Sequence, residues 1–326
     1  MTERVNKYNE KSEGLNIIRK LFQNRILFLL LLIFILFVFA GISYDTFATA
    51  DNIKAVVQNM SIDAIVAIGM MILLTSGVFD LTVGSVLGFS AAINAILIER
   101  AQVSPLLSII IAVAGCVCIG AFNGTIIAKV GVNHLIVGLA VMGIIRGIII
   151  LIIGSGITRL PESFLMITDI QFLGINLPVW YMIVIGALFS LLLRRTVLFR
   201  RYYYIGGNEK AAALSGINVP TMRIISFMLS SGLAGLSGIL LSSRLSASIP
   251  TLGLGLEFRA ITACILGGGS LAGGYGTVLG AVLGTLFMGL VNNLMVVSRI
   301  SISWQRIAVS GILLIAVTID AIMKKE

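Results

Sequence analysis

Residues 194–219 read RRTVLFRRYYYIGGNEKAAALSGINV, the longest charged and polar passage in a chain that is otherwise almost continuous apolar sequence. Arg194, Arg195, Arg200 and Arg201 precede three consecutive tyrosines, Tyr202 to Tyr204, and then Gly206 and Gly207. The residues after the glycines carry the punctuation of one short helix. Asn208 is a good N-cap, because its side chain accepts a hydrogen bond from a free amide of the first turn. Glu209 places a negative charge where the helix dipole favours it. Ala211, Ala212, Ala213 and Leu214 are strong helix formers. Gly216 suits a left-handed C-cap, and Pro220 blocks continuation. A helix of about two turns is marginal alone, so this one is expected to dock against something. The passage reads as a short helix displayed on a basic loop between membrane spans.

Composition sets that frame. Apolar residues are 58% of 326, charged residues 11%, and 35 positions are glycine. A soluble chain carries about a quarter charged residues, so this is an all-α polytopic membrane protein. A formal charge of +9 would suggest nucleic acid on a soluble chain. Here the basic residues read as topology determinants at the cytoplasmic surface, and the expected medium is membrane lipid, with no nucleic acid. Cys116, Cys118 and Cys264 lie in apolar runs. A C-x-C pair with no nearby His or second pair is poor metal spacing, so they read as packing residues.

Residues 1–25 read as a polar cytoplasmic N-terminal tail, and 26–326 as a single transmembrane domain. Spans are expected at 26–42, 61–74, 83–98, 106–127, 134–153 and 179–193. After the basic loop, others follow at 224–241, 278–295 and 304–322. The passage 44–58 reads as polar and external, with an interfacial helix as one form it can take. Residues 154–178 form a loop long enough for a small extramembrane element. Residues 256–266 are apolar but short, and break at the glycine-rich run 267–276. The total is about ten transmembrane helices, within a range of about eight to eleven, some of them broken or re-entrant. With ten crossings both termini are cytoplasmic, and the basic residues of the tail, Lys129, the 194–210 loop, Arg223, Lys324 and Lys325 fall on that side.

No G-x-x-x-x-G-K-[ST] sequence occurs, so no phosphate loop of that kind is present. The glycine run 267–276 lacks the lysine and reads as a close-packed helix break. His134, the only histidine, starts a span and reads as an interfacial residue. No pair of carboxylates shares a helix face in the manner an intramembrane enzyme needs. Asp80 and Arg146 lie inside apolar sequence, where charge is costly unless solvated or paired. Two readings stand for them: pairing with each other or with backbone carbonyls to pin broken helices, or contact with a substrate. Asn123, Asn292 and Asn293 either line a polar path or cap helix ends.

Four ordered motifs carry a resemblance. Residues 206–219, GGNEKAAALSGINV, resemble the cytoplasmic coupling segment of permease subunits of ribose/galactose/xylose-type sugar ABC importers. Residues 77–85, GVFDLTVGS, resemble that family's G-x-x-D-L-S-V-G-S motif, with Thr82 where serine is common. Asn123-Gly124, Leu139-Ala140, Met142 and Arg146-Gly147 are similar to its fourth and fifth spans, with Gly138 in place of a small hydroxyl residue. Residues 266–276, LGGGSLAGGYG, resemble its L-G-G-x-S-L-x-G-G-x-G motif and precede the Asn292-Asn293 pair. Against the wider E-A-A-x-x-x-G loop of ABC permeases, Ala211, Ala212 and Gly216 fit. Lys210 holds the acidic position there, and Glu209 lies one residue early.

The resemblance implies a permease subunit, not itself an enzyme, of an ATP-driven, binding-protein-dependent importer of a monosaccharide, a pentose or hexose. It implies alternating access in a bacterial inner membrane. A separate cytoplasmic ATPase would bind ATP and magnesium, an extracytoplasmic binding protein would deliver sugar, and a second permease chain, the same or a sister, would complete the path. No cofactor is implied in this chain. The ATPase-coupling residues implied are Asn208, Glu209, Lys210, Ala211, Ala212, Leu214, Ser215, Gly216 and Ile217, within a coupling loop at 194–222. The substrate-path residues are Asp80, Asn123, Arg146, Asn292 and Asn293. The alternative is an ion-coupled secondary transporter of a small polar solute, which would need intramembrane acids and usually shows internal repeats.

Overall fold

The structure is a computed structural model describing residues 25–323; the expected tail at 1–24 and the closing lysines lie outside the described residues. Thirteen helices occur among them, with four two-residue strands. Eight helices are long and apolar enough to cross a membrane: α1 (Arg25–Ser43), α2 (Ala50–Thr75), α4 (Pro105–Thr125), α5 (His134–Ile153), α7 (Leu177–Arg195), α10 (Val219–Leu245), α12 (Val278–Val297) and α13 (Ile302–Met323). A five-residue π-turn, Ile126–Val130, extends α4 and ends at Gly131. Two apolar helices are shorter, the 17-residue α3 (Val83–Glu99) and the 11-residue α11 (Leu256–Leu266). With these two, ten apolar helices lie within the expected range of eight to eleven.

Two boundaries differ from the sequence reading, and the 154–178 loop holds the small element expected of it. The second span begins at Ala50, not at Ser61, because Thr49 caps it through the Asn52 amide. Its polar first turns, expected to be external, continue the helix. The loop 154–178 holds α6 (Glu162–Asp169) and a hairpin of β2 (Gln171–Phe172) and β3 (Ile175–Asn176). Phe164 on α6 is fully buried, and Ser243 Oγ of α10 donates to its carbonyl at 2.9 Å. Most unexpectedly, the arginine–tyrosine run is not loop. It forms α8 (Val197–Gly207), capped by Thr196 through the Phe199 amide.

α2, α3 and α10 form the middle of the bundle. Most residues of α3 are buried, and α10 packs against α2, α3 and α4. Small residues permit this closeness. α11 and α12 approach so nearly that a Cβ at Gly280 or Gly284 would run into the backbone of Gly267 or Ala263. The peripheral helices instead show large apolar side chains outward, such as Phe34, Leu151 and Leu314, as hydrocarbon requires. Contacts of the connecting segments define the two ends of the bundle. The C-terminal end of α2, the loop joining α11 to α12, and α8 lie together. At the other end β1 (Ile157–Thr158) pairs with β4 (Ala247–Ser248).

Candidate functional site

Two sites are assembled, one at each end of α11. The first is built on α8 and on α9 (Glu209–Leu214), the helix expected from its caps. Asn208 Oδ1 accepts from the Ala211 amide at 3.0 Å, and Gly216 takes φ +83°, the left-handed conformation that closes the helix. Glu209 forms a two-point ion pair with Arg223 at the start of α10, at 3.1 and 2.6 Å. Ser215 Oγ donates back to the Ala211 carbonyl at 2.9 Å. Ala212 is buried and Ile217 half-buried against the bundle, whereas Lys210, Ala211 and Leu214 face outward, Leu214 with 90% of its surface exposed. The helix is therefore docked on one side and free on the other.

α8 ties this element to the bundle. Tyr202 and Ile205 are buried, and Phe199 stands edge-on to both Phe189 and Tyr202. The spacing of Phe199, Tyr202 and Ile205 is helical, a signal present in the sequence but masked by the basic residues between. Tyr203 donates its hydroxyl to the Gly276 carbonyl at 2.8 Å. Burial pushes the Tyr202 and Tyr203 phenols up, with Arg194 opposing at Tyr203, so Tyr203 remains a donor throughout the physiological range. The tightest joint is glycine on glycine. A Cβ at Gly206 would meet the Thr75 carbonyl and the Gly274 amide, and one at Gly273 would lie 2.6 Å from Gly206 Cα and 2.8 Å from Gly77 Cα. Gly274 donates to the Thr75 carbonyl at 3.0 Å. Backbone from α8, from the end of α2 and from the loop after α11 thus meets with no side chain between.

The second site lies near the N-terminus of α11 and opens at the side of the bundle between α5 and α13. Arg146 of α5, Glu257 and Arg259 of α11, Asn292 of α12 and Arg306 of α13 line a cavity of about 570 Å³. Arg146 Nη1 donates to the carbonyls of Leu252 at 2.6 Å and Pro250 at 3.2 Å, in the turn that leads into α11. Arg259 pairs with Asp63 of α2 at 3.4 Å, and Arg244 hydrogen-bonds Asn59 one turn away. Asp63, Arg259 and Asn292 also line a smaller adjoining cavity of about 130 Å³.

The five residues expected on the substrate path are dispersed by the fold. Asp80 and Arg146 do not pair. Asp80 Oδ1 accepts from the amide and hydroxyl of Thr82, both at 2.7 Å, and Asn123 reaches the same hydroxyl at 3.2 Å. That network binds the α2–α3 turn to α4, close to the glycine joint, and the turn that holds Arg146 packs on α3 just beyond it, at Gly84 and Gly88. Asn293 exchanges two amide hydrogen bonds with Asn52, at 2.9 and 2.8 Å, and so bolts α12 to α2. Only Arg146 and Asn292 of the five line the larger cavity. Glu257 and Arg259 were not singled out as path residues in the sequence, because their segment reads as too short to span. His134 stacks edge-on against Phe79 at 4.6 Å. Among the described residues no cluster of His, Cys, Asp or Glu is arranged to hold a metal ion.

A multi-pass helical bundle, with a partly charged side cavity and a docked helix exposed at its base, suits a membrane permease. The comparison of sequences carries this to a family. Residues 52–318 match the family described as the branched-chain amino acid transport system / permease component, and the chain belongs to it. Among its relatives is the L-arabinose ABC transporter permease protein of Azospirillum brasilense, 34% identical over 297 residues, covering 90% of this chain and 86% of that protein. The ribose import permease protein of Escherichia coli K12 is 38% identical over 280 residues, covering 84% and 87%. That of Bacillus subtilis is 35% identical over 291 residues, covering 88% and 90%.

Proposed function

We propose that the chain is the permease subunit of an ATP-driven, binding-protein-dependent importer of a monosaccharide, a pentose or hexose, in a bacterial inner membrane. The relatives that support this reading are named for L-arabinose and ribose, and they align over most of both chains. The ion-coupled alternative has no comparable support. The observation that carries the energetic half of the proposal is α9: capped at both ends, ion-paired to α10, and exposing Leu214. An apolar side chain at the tip of a docked polar-end helix suits a groove on a soluble partner. That partner is an ATPase subunit that binds the ATP and magnesium. The residues from Asn208 to Ile217 form the contact, both termini lie on its side of the membrane, and a binding protein meets the opposite face. A second permease chain, identical or a sister, completes the path.

In this scheme ATP-driven movement of α9 is passed by α8 to the glycine joint, and from there along α11 to the cavity. Contacts without side chains transmit displacement because no rotamer is available to absorb it. Uptake by proteoliposomes containing the permease, ATPase and binding protein tests the reading. ATP-dependent sugar uptake is expected. Gly216→Val, which forces a branched residue into φ +83°, is expected to release the ATPase during purification. Uptake driven by an ion gradient with no ATPase present overturns it.

A further inference from the structure

We propose that the cavity at the head of α11 is a sugar-selecting site of the permease itself, with Glu257 its principal hydroxyl acceptor; the inference rests on the importer reading above. Glu257 is only 4% exposed, yet its Oε2 has no hydrogen-bond partner among the described residues. The fold makes room for it, since a Cβ at Gly84 of α3 would occupy the position of that oxygen. A carboxylate buried at membrane depth without a full set of donors is costly and points to function. The unpartnered oxygen faces Gly84 of α3, while the Glu257 side chain also lines the cavity.

The rest of the wall complements that acceptor. Arg146 is held by the Leu252 and Pro250 carbonyls through one nitrogen, Nη1, and its guanidinium carries further N–H donors in a fixed fork. Arg259 is steadied by Asp63. Asn292 offers an amide with both donor and acceptor. Phe258, 41% exposed, adds an apolar face at the same wall. Acceptor, donors and an aromatic face together match a neutral polyhydroxylated ring, whose adjacent hydroxyls suit a carboxylate and whose C–H face suits the phenyl. The volume of about 570 Å³ falls in the range of small-ligand sites, about 300–1,000 Å³.

The test uses the full importer in proteoliposomes, with D-ribose, D-xylose, L-arabinose and D-galactose as probes offered through one binding protein. Glu257→Gln is expected to change the ratio of uptake rates between the two best-carried sugars by about fivefold, the scale of one unequal hydroxyl contact, with Glu257→Asp restoring part of it. A purely structural role would slow all sugars alike. Should Glu257→Gln fail to assemble, Ser310→Leu narrows the cavity mouth from an exposed position and is expected to slow the hexose more than the pentoses. Unchanged ratios in every assembled variant, with the wild type importing normally, overturn the selecting site alone. A wild-type importer that carries no sugar overturns the importer reading itself.

Discussion

The two ends of α11 are built on opposite principles. At its C-terminal end the chain has removed side chains: Gly206, Gly273 and Gly77 put three backbones in contact. At its N-terminal end the chain has crowded charge into the bundle, with Glu257, Arg259, Arg146 and Asp63 around a cavity. A joint that must pass on displacement gains from stiffness, and backbone has no rotamers to yield. A site that must grip and release a polar solute gains from groups that reorient. An 11-residue helix, about 16 Å long, is short enough to act as a rigid link between the two.

Predictions that would break or sharpen this contrast are ordered by their expected effect on stability. Gly206→Leu drives a side chain into the Thr75 carbonyl and Gly274 amide. It is expected to lower stability by about 3 kcal/mol or to prevent assembly, seen as a drop in melting temperature in detergent. A variant that melts normally and transports normally would show that the joint is not rigid. Tyr203→Phe removes the hydroxyl that reaches the Gly276 carbonyl and is expected to cost about 1 kcal/mol. The same bond has a pH signature. Because burial holds the Tyr203 phenol above its ordinary value, its contribution is complete below about pH 10, the ordinary phenol value, and fades as pH rises through the elevated one. Melting curves of the wild type and Tyr203→Phe should therefore differ at pH 8 and converge at high alkali.

Glu209→Gln weakens the pair with Arg223, whose acid side chain is 51% exposed. A solvated pair of this kind contributes about 0.2–1 kcal/mol, so melting should barely move. ATP hydrolysis per sugar imported is expected to rise, since α9 loses its tether to α10. Leu214→Asp lies at the bottom of the stability order, within about 0.5 kcal/mol, because Leu214 touches solvent rather than the bundle. It is nonetheless expected to abolish co-purification of the ATPase. Retention of a full complement of ATPase by Leu214→Asp would remove α9 from the interface.

Much of the coupling end was legible in local sequence. N-cap, acid first turn, alanines and a terminal glycine are short-range signals, and α9 forms where they place it. α8 was missed because its apolar spacing is interrupted by arginines. The polar cavity was legible only in fragments. Arg146 and Asn292 were visible as polar residues in spans, but Glu257 and Arg259 sat in a segment too short to read as one. Asp80 and Asn123 looked equivalent to them and hydrogen-bond instead to Thr82 at the start of α3.

Composition and hydropathy alone determined a polytopic helical protein of about ten apolar segments, because a bilayer demands apolar helices of set length. Cap chemistry alone determined the helix at 209–214, because its bonds close within a few residues. Which charges meet was decided only by the tertiary structure. Asp63 and Arg259 are distant in sequence, and so are Arg146 and the 250–252 turn. Nothing local distinguishes their pairing from the Asp80–Arg146 pairing that the fold rejects. The same holds for the glycines: sequence shows that they are small, and only packing shows which of them touch.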